Sequence, residues 1–223
     1  MKTVSLAALL VMALIAGGCA TSGVEKVRDL QVASRLEPLP QGASGYQYID
    51  PKQDFSGYRR VLIEPTVLYG GSDHGFGDTP AAERTALARR IDAHAARILG
   101  GGKVTLADAP GPDVLRLRLT LVGMSRSRAL LQGVSYVIPV GAALNLAKGA
   151  SGGSGTFMGA VTLAGEFHDS RSGALLAGFL AARGPGAFDV SVLSSDYAAA
   201  EQGAVLVLED LRRRFDARAL QWR

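Results

Sequence analysis

The sequence predicts an α+β fold: one two-layer domain, a mixed, mainly antiparallel sheet of about five strands with two helices on one face. Three observations lead there. Residues 114–121 set Leu115, Leu117, Leu119 and Leu121 in alternation against Arg116, Arg118 and Thr120, the period of a strand with one face buried. Leu87, Ile91, His94, Ala95 and Ile98 instead recur at helical spacing, and so do Tyr197, Val205, Leu208, Leu211 and Phe215. Residues 159–169 and 174–183 flank Asp169-Ser170-Arg171-Ser172-Gly173, in which Asp bonds turn amides and Gly takes a positive φ, so they form a hairpin. With 223 residues, 48% of them hydrophobic, there is material for a single core.

Taken in order, the chain opens on a signal peptide over residues 1–18. Lys2 is its positive n-region, and residues 4–16 are apolar without a charge, too short and too one-sidedly flanked for a membrane span. The only cysteine of the chain, Cys19, follows Ala16-Gly17-Gly18. An exported protein with one unpaired thiol is unusual. The run resembles a bacterial lipobox, which implies lipidation of Cys19 by three acyl chains such as palmitate, and with Ala20 next it implies sorting to the outer membrane. Two or more chains hold a protein firmly at a bilayer, where a single one is marginal. Residues 19–34 then read as a lipidated tether without periodicity, and residues 35–223 as one periplasmic domain.

Residues 35–51 carry Pro38, Pro40, Gly42, Gly45 and Pro51 and read as an extended arm that Tyr46 and Tyr48 pack onto the domain. Residues 59–68 are a central strand buried on both faces, with Pro65 marking a bulge or the end of pairing. A glycine-rich loop with His74 follows. Thr79 is placed to cap the next helix, Pro80 suits its first position, and Gly100-Gly101-Gly102 ends it through a left-handed cap. Residues 103–106 then form a short strand parallel to the first. The strand at 114–121 is expected to be antiparallel and half exposed, with its arginines in water. A closing helix over residues 197–218 takes its cap from Ser194, Ser195 or Asp196.

Residues 129–157 are the unusual stretch, an apolar, Gly-rich insert broken by Gly133, Pro139 and Gly141 and ending in a Gly-Ser run. These breaks argue against a spanning helix. The segment is a strand pair continuing the sheet, a short buried helix near 142–148, or a contact surface. In the last case Leu130, Leu131, Val134, Tyr136, Val137, Ile138 and Val140 are the candidate interaction residues.

The segments Ser34-Arg35-Leu36, Tyr48-Ile49-Asp50-Pro51, Tyr58 to Pro65 and Pro110 to Leu117, with the Asp169–Gly173 turn, resemble a family of proteobacterial lipoproteins, domain of unknown function thirty-three thirteen. The resemblance covers most of the mature chain. It implies an outer-membrane lipoprotein with a periplasmic domain and assigns no catalytic residue.

The residues themselves point to no reaction. His74 lies near Asp73 and Asp78, His94 on a helix face, and Glu166 and His168 on one face of a hairpin strand, which an exposed polar face explains. No His/Cys metal spacing, nucleophile elbow or phosphate-loop signature occurs, so no catalytic residue, metal or cofactor is expected. A net charge of +4 is mild, and nucleic acid is not an expected partner of an exported chain. The expected partners are the membrane, through the lipid anchor, and an envelope protein or a second copy. The expected function is non-enzymatic binding or scaffolding. Its alternatives are an envelope assembly or secretion accessory that oligomerises through the insert, and a hydrolytic enzyme that uses the His74 loop with Glu64.

Overall fold

The computed structural model describes residues 30–39, 45–72, 74–125, 161–184 and 197–217. Cys19, Asp73 and the insert with all its candidate interaction residues lie outside the described residues. The fold is the expected α+β one. Its strands are β1 (Glu37–Pro38), β2 (Tyr46–Ile49), β3 (Arg60–Ile63), β4 (Val67–Leu68), β5 (Thr105–Leu106), β6 (Val114–Met124), β7 (Val161–Asp169) and β8 (Leu175–Arg183). The helices are α1 (Ala81–Gly100) and α2 (Ala198–Asp216), and a short 3-10 turn occupies Ala33–Arg35.

The sheet has eight strands in the order β1-β2-β8-β7-β6-β3-β5, with β4 also on β6. That exceeds the five expected, because β1 and β2 lie in the arm and are too short to show a period, and the one strand expected over residues 59–68 divides at Pro65 into β3 and β4. The pairs β1–β2, β2–β8, β8–β7 and β7–β6 are antiparallel; β3 runs parallel to both β5 and β6, and β4 parallel to β6. Pro65 separates β3 from β4, and the amide of Thr66 just after it donates to Asp92 Oδ1 of α1 at 2.7 Å. In the hairpin turn, Asp169 Oδ1 accepts from the amide of Ser172 at 2.7 Å, and Gly173 has φ 73°.

Both helices pack on one face. Leu87 and Ile91 of α1 and Val207, Leu208, Leu211 and Phe215 of α2 join Leu115, Leu117, Leu119 and Leu121 of β6 in one apolar cluster. Neither helix end follows the expected capping. Pro80 is the N-cap of α1 with no side-chain bond, and Gly101 ends the helix in the right-handed region at φ −82°. Backbone bonds from Gly101 to Arg97 and from Gly102 to Leu99 satisfy the last carbonyls without a left-handed residue. Tyr197, the N-cap of α2, also makes no side-chain cap bond, and residues 194–196 lie outside the described ones.

The opposite face is where expectation and structure part. Leu30, Val32 and Leu36 are buried there with Tyr69, Val122, Ala164, Leu180 and Ala182 in a second apolar cluster. The packed chain therefore begins before Arg35, at least at Leu30, inside what reads from sequence as tether. The fit is close: a Cβ on Gly178 would stand 2.6 Å from Val32 Cγ2, so only glycine admits the arm here. With both faces covered, β6 is buried almost throughout rather than half exposed. β3 is the reverse case. Only Val61 of its four residues is fully buried, because its outer neighbour β5 is two residues long.

Candidate functional site

The alternation of β6 and β7 and their register place a charged layer beneath the arm. Arg116 pairs with His168 across the two strands, and Arg118 with Glu166. Glu64, just past β3, sends its carboxylate to both arginines, at 2.8 Å from Arg118 Nε and 3.3 Å from Arg116 Nε. From above, the amide of Val32 donates to Glu166 Oε1 at 2.8 Å. Arg118, Glu166 and His168 are 5%, 2% and 1% exposed, so the polar face read from sequence as solvated is sealed. The reason is the arm, whose apolar residues no strand or helix period announces.

The electrostatics follow from burial. Desolvation pushes the Glu166 carboxyl above its usual range, opposed by the Val32 amide and the Arg118 guanidinium. His168 is pulled down to about 4, first by burial and then by Arg118 and Arg116 beside it. It is therefore neutral at pH 7, and neither ring nitrogen has a hydrogen-bond partner among the described residues. Two carboxylates facing two guanidiniums, with a neutral imidazole, form a balanced layer. Such a layer is costly to break from one side, and it offers no acid–base pair open to a substrate.

The other histidines are placed separately. His94 Nε2 meets Glu201 Oε1 at 2.8 Å, and Arg97 approaches its Nδ1 at 3.2 Å. Arg90 also reaches Glu201, at 3.1 Å, so this group joins α1 to α2 at the edge of the core. His74 Nδ1 accepts from the amide of Phe76 at 3.4 Å within its own turn. Gly75 bridges to Gly123, whereas the amide of Glu64 bonds to Leu117 at the other end of β6. Six strand residues at about 3.4 Å each set those two places roughly 20 Å apart. Glu64 and His74 thus do not share a cleft, and Asp78 is exposed. Among the described residues no three His, Cys, Asp or Glu side chains gather as a metal set. No described helix is long and apolar enough to cross a membrane.

A groove opens on the helix side of the sheet, between α2 and the strands β2 and β8. Ile49, Phe167, Phe179 and Ala181 line its floor, and Val207 and Leu211 its wall. Arg183, Asp210 and Arg214 also line it, with Arg214 Nε 3.2 Å from Asp210 Oδ2. Gln47 Oε1, on the same groove, is buried with no hydrogen-bond partner among the described residues. Sequence reading missed this site. Its only signal was the phenylalanine pair Phe167 and Phe179, whose rings lie 6.3 Å apart on adjacent strands.

Compared with known proteins, residues 26–211 match the family model described as "Protein of unknown function (DUF3313)". Among solved structures, the chain is similar to the PelC dodecamer from Paraburkholderia phytofirmans at 15% identity and a TM-score of 0.39, covering 76% of this chain and 99% of that one. It is also similar to protein XCC0632 from Xanthomonas campestris, of the family DUF330, at 14% identity and a TM-score of 0.41, covering 78% and 91%. No curated protein sequence matches the chain.

Proposed function

The chain belongs to the DUF3313 family of proteins of unknown function, and we propose that it is an outer-membrane lipoprotein, anchored through Cys19, whose periplasmic domain binds or scaffolds an envelope partner. The observation that carries this reading is the way the chain leaves the anchor. Leu30, Val32 and Leu36 are buried on the sheet, and Val32 is tied to Glu166. Leu30 is eleven positions after Cys19, a reach of at most about 40 Å fully extended. A lipid on Cys19 would therefore hold a folded platform close to the bilayer rather than at the end of a long leash.

Binding is favoured over hydrolysis by where the polar side chains are spent. Glu64 and Glu166 serve the buried layer, His94 the helix pair and His74 its own turn. The groove beside α2 is the surface in the described domain with the shape and apolar lining of a binding site. Mass spectrometry of the protein from membranes tests the anchor: the expected species starts at Cys19 and carries added acyl mass, and an unmodified Cys19 at the mature N-terminus sinks it. Affinity recovery from crosslinked envelopes tests the binding role. The expected result is one recurrent partner or a second copy, lost on substitution of groove residues. Recovery of nothing above a control lipoprotein counts against it.

A further inference from the structure

Helix α2 ends beside the groove. Gly203 lies against the Arg183 carbonyl, and the Phe215 ring meets Phe167 edge-on with centroids 5.8 Å apart. Phe167 pairs with Ala177, so α2 runs against β8 and its last turns stand over the Ala177 end of the strand. Val207, Asp210, Leu211 and Arg214 line the groove at spacings of three and four, and the same helix face comes next to Ala217. The chain therefore leaves α2 on the groove side.

The groove's size and lining restrict what fits. Ile49, Phe179 and Ala181 on its floor are apolar and only partly buried. The cavity volume is about 50 Å³. At about 10–15 Å³ for each water-sized group, it holds roughly four such groups, the size of one leucine side chain. Gln47 Oε1 is buried there with no partner among the described residues, and a backbone amide of an extended segment would satisfy it. Directly after Ala217 come Arg218-Ala219-Leu220-Gln221-Trp222-Arg223. Leu211 lies six residues before Ala217, roughly 9 Å along the helix axis. Leu220 lies three positions after Ala217, a reach of at most roughly 10 Å. A chain that turns back at Ala217 thus sets Leu220 level with Leu211, over Ile49 and Phe179. The neighbouring segments outside the described residues fit less well. Residues 40–44 carry no branched apolar side chain, and residues 185–196 join the far end of β8 to the start of α2.

We propose that Leu220 docks in this groove as the chain's own occupant, with residues 218–223 folded back over β2, so that a partner using the groove must displace them. The displacement rests on the reading of the domain as a binding module; the contact itself does not. The test uses the full-length mature protein in detergent micelles, methyl-labelled for NMR. Nuclear Overhauser contacts are expected from the Leu220 methyls to those of Ile49 and Leu211. Trp222, the single tryptophan of the chain, shares the Leu220 face of an extended segment and reports its release. Acrylamide quenching of Trp222 should rise several-fold in Leu220→Ser, which removes the docked group. It should rise likewise in Ala181→Leu, which fills the floor, with circular dichroism showing both still folded. If one variant does not fold, the other decides; if neither folds, the contacts of the unaltered protein decide. The proposal is overturned by contacts that are absent or that run only between separately labelled copies, and by quenching that is unchanged in a folded variant. In crosslinked envelopes, Leu220→Ser should recover several-fold more of the partner, and unchanged recovery overturns the displacement. Should the contacts be missing while a partner is still recovered, the docking fails and the binding module stands. Should the contacts be present with no partner recovered from either form, the binding reading and the displacement fall and the docking stands.

Discussion

The amide of Val32 donates to Glu166 Oε1 at 2.8 Å, across 134 positions of sequence. The bond joins the N-terminal arm to the middle of the sheet. It also supplies one of the few donors available to a carboxylate buried at 2% exposure. Stability and electrostatics therefore meet at this pair.

Glu166→Ala should be severely destabilising. It leaves the Val32 amide unpaired and the Arg118 charge less balanced in a buried layer, a situation that costs about 3–5 kcal/mol. Glu166→Gln keeps an acceptor for Val32 and should cost clearly less. Urea unfolding of the two variants beside the wild type checks the order; equal losses would mean that the acceptor does not matter.

His168 should make the domain acid-sensitive. Its folded pKa is about 4 against 6.5 for the free side chain, so below pH 6.5 the unfolded chain binds a proton that the folded chain refuses. Stability on this account is full above pH 6.5, falls as pH drops, and is down by about 3 kcal/mol near pH 4. Glu166 acts in the opposite sense. Its raised pKa penalises the folded state at neutral pH, and that penalty lifts as falling pH protonates it. Replacing His168 by Gln should accordingly flatten the loss of stability between pH 7 and 4.5, and Glu166→Gln should steepen it. A stability gap between wild type and His168→Gln that stays constant over this range would show that the imidazole is not held neutral.

A fragment beginning at Ser34 should be much weaker than one beginning at residue 26. It lacks Leu30 and Val32, each worth about 1.5–3 kcal/mol on burial, and it uncovers Arg118 and Glu166. For a domain of this size, roughly 2–4 °C in Tm accompany each kcal/mol, so the two melts should differ by about 10 °C or more. Coincident melting curves would place the arm outside the cooperative unit.

His74→Ala should leave both folding and any envelope phenotype intact, since the hydrogen bond described for its side chain lies within its own turn. Loss of the phenotype with an unchanged melting temperature would reopen the hydrolytic reading.

How much of this was legible beforehand differs from element to element. The leucines of β6, the stripes of both helices and the Asp169–Gly173 turn were readable because side-chain period and turn chemistry are local. The lipobox-like run at Cys19 is equally local, a pattern of neighbours. The alternation also showed correctly that Arg116 and Arg118 share one face of β6, and Glu166 and His168 one face of β7. It could not show what covers those faces. That depends on a non-periodic arm brought over β7 and β8 by packing Val32 against Gly178, a contact between residues far apart in the chain. The groove is tertiary for the same reason. Its strands β7 and β8 and its helix were expected, but β2 was read as part of an arm, and the gap depends on how that short strand extends the sheet beside α2. The sequence determined which side chains lie on which face; the tertiary structure decided which faces meet water, because burial is a property of the neighbours and not of the strand.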